Sequence, residues 1–208
     1  NKAHSFKLEG GVNLPHNVRV SGEAGYQRWK SHNPMLPYTT NTAIRTTLAN
    51  GLGAALPFDP SAAGPDKDHV GLIEVYTYMG KVAARPFHWL RTSVSHEAYI
   101  LENKSKQYEL PGWAVFDQIW HVENKVTPRE QFRDDKTMVG LDYEILPWLS
   151  GGTDLKHIYK KQTREIPKLH EYEAAQGFTI RPSRDLFVNV SGLLAVRRGN
   201  GHDLGNYP

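Results

Sequence analysis

The chain has 208 residues, no cysteine, a formal net charge of +3 and a sequence pI near 9.0. The lack of cysteine excludes disulfide scaffolds, thiolate zinc sites, iron–sulfur clusters and cysteine nucleophiles. The length suits one large domain that buries a core without staples, and the mildly basic balance leans only weakly toward polyanionic partners.

No apolar run approaches the roughly 18 residues of a membrane-spanning helix. The opening NKAHSFKLEG lacks the apolar centre of a signal peptide. Because the first residue is Asn, residues 1–208 read as a single domain forming the C-terminal part of a longer polypeptide.

Residues 33–68 contain five prolines and read as one long irregular connection. In 70–80, Gly71, Ile73, Val75, Thr77 and Met79 alternate with Leu72, Glu74, Tyr76 and Tyr78, which is the period of a strand. WLRTSV at 89–94 is a shorter candidate. In 112–124, Ala114, Phe116, Trp120 and Val122 share a face broken only by Gln118. The clearest half-buried strand is 137–147, where Val139, Leu141, Tyr143 and Ile145 alternate with Gly140, Asp142 and Glu144.

In 154–176, Leu155, Ile158, Tyr159, Ile166, Leu169 and Tyr172 roughly follow the helical period. Pro167 interrupts them, so one or two short helices are expected there. Finally, Leu186, Val188, Val190, Leu194 and Val196 form one apolar row, with Gly192 suggesting a bulge or a close backbone approach. Strands alternating with long loops predict a mainly β protein, an antiparallel β-sandwich or jelly roll with elaborated loops and little helix.

Chemistry is sparse. G-x-S-x-G, P-loop, H-E-x-x-H and EF-hand patterns are all missing. GLGAAL at 51–56 lacks the third glycine and the preceding apolar strand of a dinucleotide fingerprint, so it reads as a turn. His121 and Glu123 share a strand face, a spacing open to acid–base or metal work but common on solvated faces.

Asp59, Asp66 and Asp68, with His69, lie in a Gly/Pro-rich loop of the kind that hard cations such as calcium use. A cation there would pin the loop and not run a reaction. Arg181, Arg184, Arg197 and Arg198 bracket the last strand and suit phosphate or a neighbouring subunit. Trp120 is expected in the core and Trp29 at a contact.

Taken in order, PYTTNTAIRTTLANG (37–51), the strands with very long loops, and RPSRDLFVNVSGLLAV (181–196) resemble the C-terminal half of a densovirus capsid protein, from the parvovirus group of arthropods. The resemblance implies a jelly-roll structural protein without catalytic residues, self-assembling into a small icosahedral (T=1) shell. Its partners would be identical subunits, an N-terminal fragment of the same polypeptide and viral single-stranded DNA, and its place would be the virion. The phospholipase of such capsids belongs to an N-terminal extension whose motifs have no match here.

Loop entropy points the same way. Ordering a residue costs about 1–2 kcal/mol of backbone entropy, which symmetric neighbours offset by burying the loops. Two alternatives stand beside this reading. One is a monomeric β-sandwich binding module, for carbohydrate or protein, with Tyr26, Trp29, Tyr38 and Tyr108 along a groove. The other is a metal-assisted hydrolase using His121, Glu123 or the 59–69 loop.

Overall fold

The computed structural model describes residues 2–42, 59–62, 64–115, 119–163, 168–183 and 185–199. Among them there is no helix. The strands are β1 (Lys2–Leu14), β2 (Val18–Pro34), β3 (Asp68–Phe87), β4 (Leu90–Asn103), β5 (Glu109–Leu110), β6 (Trp113–Val115), β7 (Ile119–His121), β8 (Lys125–Val126), β9 (Phe132–Leu146), β10 (Leu149–Gln162), β11 (Lys168–Ile180) and β12 (Val188–Gly199). Eight of them form one sheet in the order β1-β2-β3-β4-β9-β10-β11-β12, while β5 pairs with β8 and β6 with β7.

The protein is therefore mainly β and antiparallel with long loops, as the alternation predicted and as a sandwich or jelly roll requires. The large sheet follows chain order throughout. The connections after β1, β3, β9 and β11 consequently leave one end of the strands, and those after β2, β4 and β10 leave the other. In the first set, the connections after β1, β3 and β9 have three residues or fewer, and that after β11 has seven. Between β1 and β2, His16 and Asn17 both take left-handed backbone angles (φ 62° and 57°), the geometry whose twist matches an antiparallel hairpin.

Two compact units make up the chain: Asn1–His4 with Arg28–Ile73 and Asn103–Arg129, and Ser5–Gln27 with Glu74–Glu102 and Glu130–Pro208. The first unit packs around Trp120, which is fully buried as expected, with the Tyr38 ring edge-on to it at 5.4 Å. Tyr108 is nearly as buried. Its hydroxyl accepts from the Val70 N–H at 3.0 Å and donates to the Asp68 carbonyl at 3.1 Å, which ties the start of β3 to the loop before β5.

In the second unit β9, β10, β11 and β12 pair in long continuous registers, with one irregularity at Leu149/Ser150.

Three expectations change. The helix expected in 154–176 is absent: 154–162 lies in β10 and 168–176 in β11, paired from Leu149↔Ile180 to Lys161↔Lys168. There, alternation of Leu155, His157 and Tyr159 with Asp154, Lys156 and Lys160 wins over the looser helical spacing, because β9 and β12 flank the hairpin on either side. Ile166 and Pro167 lie outside the described residues.

The segment 112–124 is not one strand but a small hairpin, with Trp113 opposite His121. Phe116 and Gln118 lie outside the described residues. Gly192 sits in unbroken register opposite Gln176 with open space where a Cβ would point, so it marks neither a bulge nor a close approach.

Candidate functional site

The register fixes which side chains share a face, because opposite residues point the same way and successive residues point opposite ways. From β4 through β9, β10 and β11 to β12 one row reads Val94, Val139, Leu155, Ala174, Leu194. A pleat further from the turns stands His96, Thr137, His157, Tyr172, Val196, and two pleats nearer stands Leu90, Tyr143, Gly151, Phe178, Val190.

In the same unit Gly11 faces Ser21 and Gly25 faces Thr77, and one hollow brings Thr77 and Met79 beside Glu97, Tyr99 and Asp134, with Tyr78 and Ala98 at its wall. These contacts put the odd-numbered residues of β1–β4 on the opposite face. The apolar face therefore continues through Tyr78 and Val82 of β3, Val20 and Ala24 of β2, and Phe6, Leu8, Val12 and Leu14 of β1.

Several polar groups on the apolar face bond to one another. Thr153 donates to Gln176 Oε1 at 2.6 Å, and Gln176 Nε2 donates to the Tyr143 hydroxyl at 2.7 Å. The Tyr143 ring lies over Gly151, where any Cβ would displace it. His96 and Thr137 are 2.9 Å apart, and His157 and His170 3.2 Å apart, with Tyr172 stacked on His157.

Asp135 is the carboxylate one pleat from the His96 row, and Glu74 lies on β3. Glu74 is buried and accepts from the hydroxyls of Tyr26 and Tyr76, both at 3.0 Å.

The opposite face is ionic. Each seam from β4 to β12 carries one ion pair between directly opposed residues: Glu97–Lys136 at 3.6 Å, Asp134–Lys160 at 3.8 Å, Lys156–Glu173 at 2.7 Å and Glu171–Arg197 at 3.1 Å. On β1 and β2, Lys7 lies 3.1 Å from Glu23. Such partly exposed pairs contribute about 0.2–1 kcal/mol each, and their main effect is on register. Of these residues sequence reading singled out Arg197 alone, because Lys and Glu recurring at a spacing of two do not say which strands oppose each other.

The expected cation loop is divided among other partners. Asp59 Oδ1 accepts from the Ser61 N–H at 2.9 Å and the Ser61 hydroxyl at 2.7 Å. Asp66 pairs with Lys106 and accepts from the Lys67 N–H at 2.7 Å, and Asp68 lies 3.4 Å from His32. Among the described residues no three His, Asp or Glu side chains converge as a metal ion requires. His121 and Glu123 are 4.0 Å apart.

The hydrogen bond from Lys106, aided by the Lys67 N–H, holds the Asp66 carboxyl below its ordinary range. This interaction is complete above that range and is lost as pH falls through the lowered value. An NMR titration of Asp66 should therefore run below pH 3.8, and in Lys106→Met it should move back up. Identical titrations in the two proteins would refute the pairing.

The three described arginines do not gather. The Arg181 N–H donates to the Trp148 carbonyl at 2.7 Å, at the turn end of the strands. Arg197 engages Glu171 on the ionic face, and Arg198, opposite His170, points to the other face at the far end of β12. Arg184 and the GLGAAL turn lie outside the described residues.

In the first unit a cavity of about 670 Å³ is lined by Trp29, Lys30, His69, Lys106, Tyr108 and Arg129 among others, a basic and aromatic wall. Arg129 Nε donates to the Ser105 carbonyl at 2.8 Å there.

Fold and faces together define an antiparallel β protein with a large two-faced sheet, apolar on one side and ionic on the other. No family model matches the chain, and no curated protein matches it. No helix among the described residues is long and apolar enough to cross a membrane.

Proposed function

We propose that this chain is a structural subunit that builds a closed β-wall with identical copies, β12 of one copy pairing with β1 of the next. The observation that carries the reading is the exposure of the two terminal strands. β1 and β12 end the strand order, and every residue of both is exposed, including Phe6, Leu8, Val12, Val190, Leu193 and Leu194. Long apolar strands at a sheet edge template pairing with another chain, and closure removes that liability.

The even strand number supports rotational closure. β12 runs opposite to β1, so a copy turned about an axis along the strands continues the antiparallel meander. It also keeps all turns at one end and each face on its own side.

The resemblance to densovirus capsid proteins would make this wall an icosahedral shell around single-stranded DNA. The cavity of the first unit favours a second reading as a binding module for an anionic ligand, tested by quenching of Trp29 fluorescence with a sulfated oligosaccharide and its loss in Arg129→Ala.

The test of the wall uses the absence of native cysteine. Glu9→Cys combined in turn with Leu193→Cys, Ala195→Cys and Arg197→Cys should give, for at least one pair, a ladder of disulfide-linked oligomers. Light scattering should give a mass of many copies. Nuclease-protected DNA inside that assembly would add the shell. A monomer mass at high concentration, with no ladder from any pair, would refute the wall.

A further inference from the structure

We infer that the apolar face of the sheet is covered by lipid acyl chains, so that the assembled wall spans a bilayer as a β-barrel with the ionic face toward its lumen. This rests on the proposed assembly, since strands in lipid must close into a barrel to satisfy their edges.

The first support is the sorting of charge. From the turn end, the apolar-face positions of β12 run from Val188 to Val196, those of β11 from Ile180 to Tyr172, those of β4 from Leu90 to Ala98 and those of β1 from Leu14 to Phe6. None is Asp, Glu, Lys or Arg. Each run is about nine residues, the length with which a tilted strand crosses a hydrocarbon core. Charges return to this face at its far margin, where Asp135 and Arg198 stand level with Ala98, and a pleat further out at Arg133, Lys161 and Lys168.

The second support is the margin. At the turn end stands exposed Trp148, between β9 and β10. At the other margin stand Tyr76, Tyr78, Tyr159 and Tyr172. Aromatic rings at both limits of an apolar band are the arrangement of membrane barrels, and the two longest connections, after β2 and β4, leave the same end of the strands.

The third support is internal satisfaction. Thr153, Gln176 and Tyr143 bond to one another inside the band, as hydrocarbon requires of any polar group it meets.

Single cysteines placed along β9, at Met138, Val139, Gly140 and Leu141, and labelled with an environment-sensitive dye give the test. The chain is refolded into phosphatidylcholine:phosphatidylglycerol vesicles. Dyes at Val139 and Leu141 should be quenched at least about fivefold more by lipid-borne nitroxide than those at Met138 and Gly140, which should respond to aqueous iodide. The vesicles should float with the protein through an alkaline wash.

Protein that assembles but stays at the bottom of the gradient would overturn the lipid assignment and leave the wall intact. Alternating quenching without any cross-linked ladder would do the reverse. Equal quenching along β9 would overturn the lipid assignment. So would protection from both quenchers at Val139 and Leu141, which would place a second protein face there.

Discussion

Trp120→Ala is expected to lower the stability of the first unit by about 3–5 kcal/mol, the range for truncating a large aromatic in a packed core. Trp120 is fully buried and Tyr38 meets its edge, so removal leaves a cavity that the loop residues around it are poorly placed to fill. Gly112 approaches the same ring so closely that a Cβ there would run into the indole and the His121 carbonyl. Gly112→Ala should therefore destabilise in the same direction. Urea unfolding followed by near-ultraviolet circular dichroism reads both. A change below about 1 kcal/mol for Trp120→Ala would show that this ring is not the centre of the unit.

The second large effect is a reversal between faces. In vesicles, Leu155→Arg should cost about 2–4 kcal/mol, the penalty for a cation at the middle of a lipid-facing strand. Leu155 sits in the row Val94, Val139, Ala174, Leu194. Ala195→Arg, on the neighbouring ionic face opposite Glu173, should be within about 0.5 kcal/mol of the parent, as exposed substitutions usually are. Unfolding in urea with the vesicles present measures both. Equal losses would remove the distinction between the two faces on which the lipid assignment stands.

The fold class was legible because alternation is a local property. The apolar row of 137–147 lies in β9 and that of 186–196 continues into β12. The β1–β2 hairpin was equally readable and overlooked: Phe6, Leu8, Val12 and Leu14 alternate, and Pro15-His16-Asn17 supplies the turn. The stretch 154–176 misled because its aromatic and aliphatic residues fit both periods. Only the neighbouring strands decide between them.

The ionic ladder was out of reach for a different reason. Glu97 and Lys136, or Glu171 and Arg197, are far apart in sequence, and nothing local says that they oppose each other. The faces themselves become one surface only once the register of each seam is known. In the acidic loop, composition counts carboxylates but does not show the Lys106 and His32 that lie against two of them.

The ladder has an electrical consequence. A cation set against an anion at each seam makes the polar side of the sheet an array of small dipoles, not a belt of one sign, and the field of such an array fades within a few ångströms. Solutes moving along that surface meet nearly the same potential whether they are positive or negative. In the proposed barrel, discrimination would then come from size or from residues at the mouths.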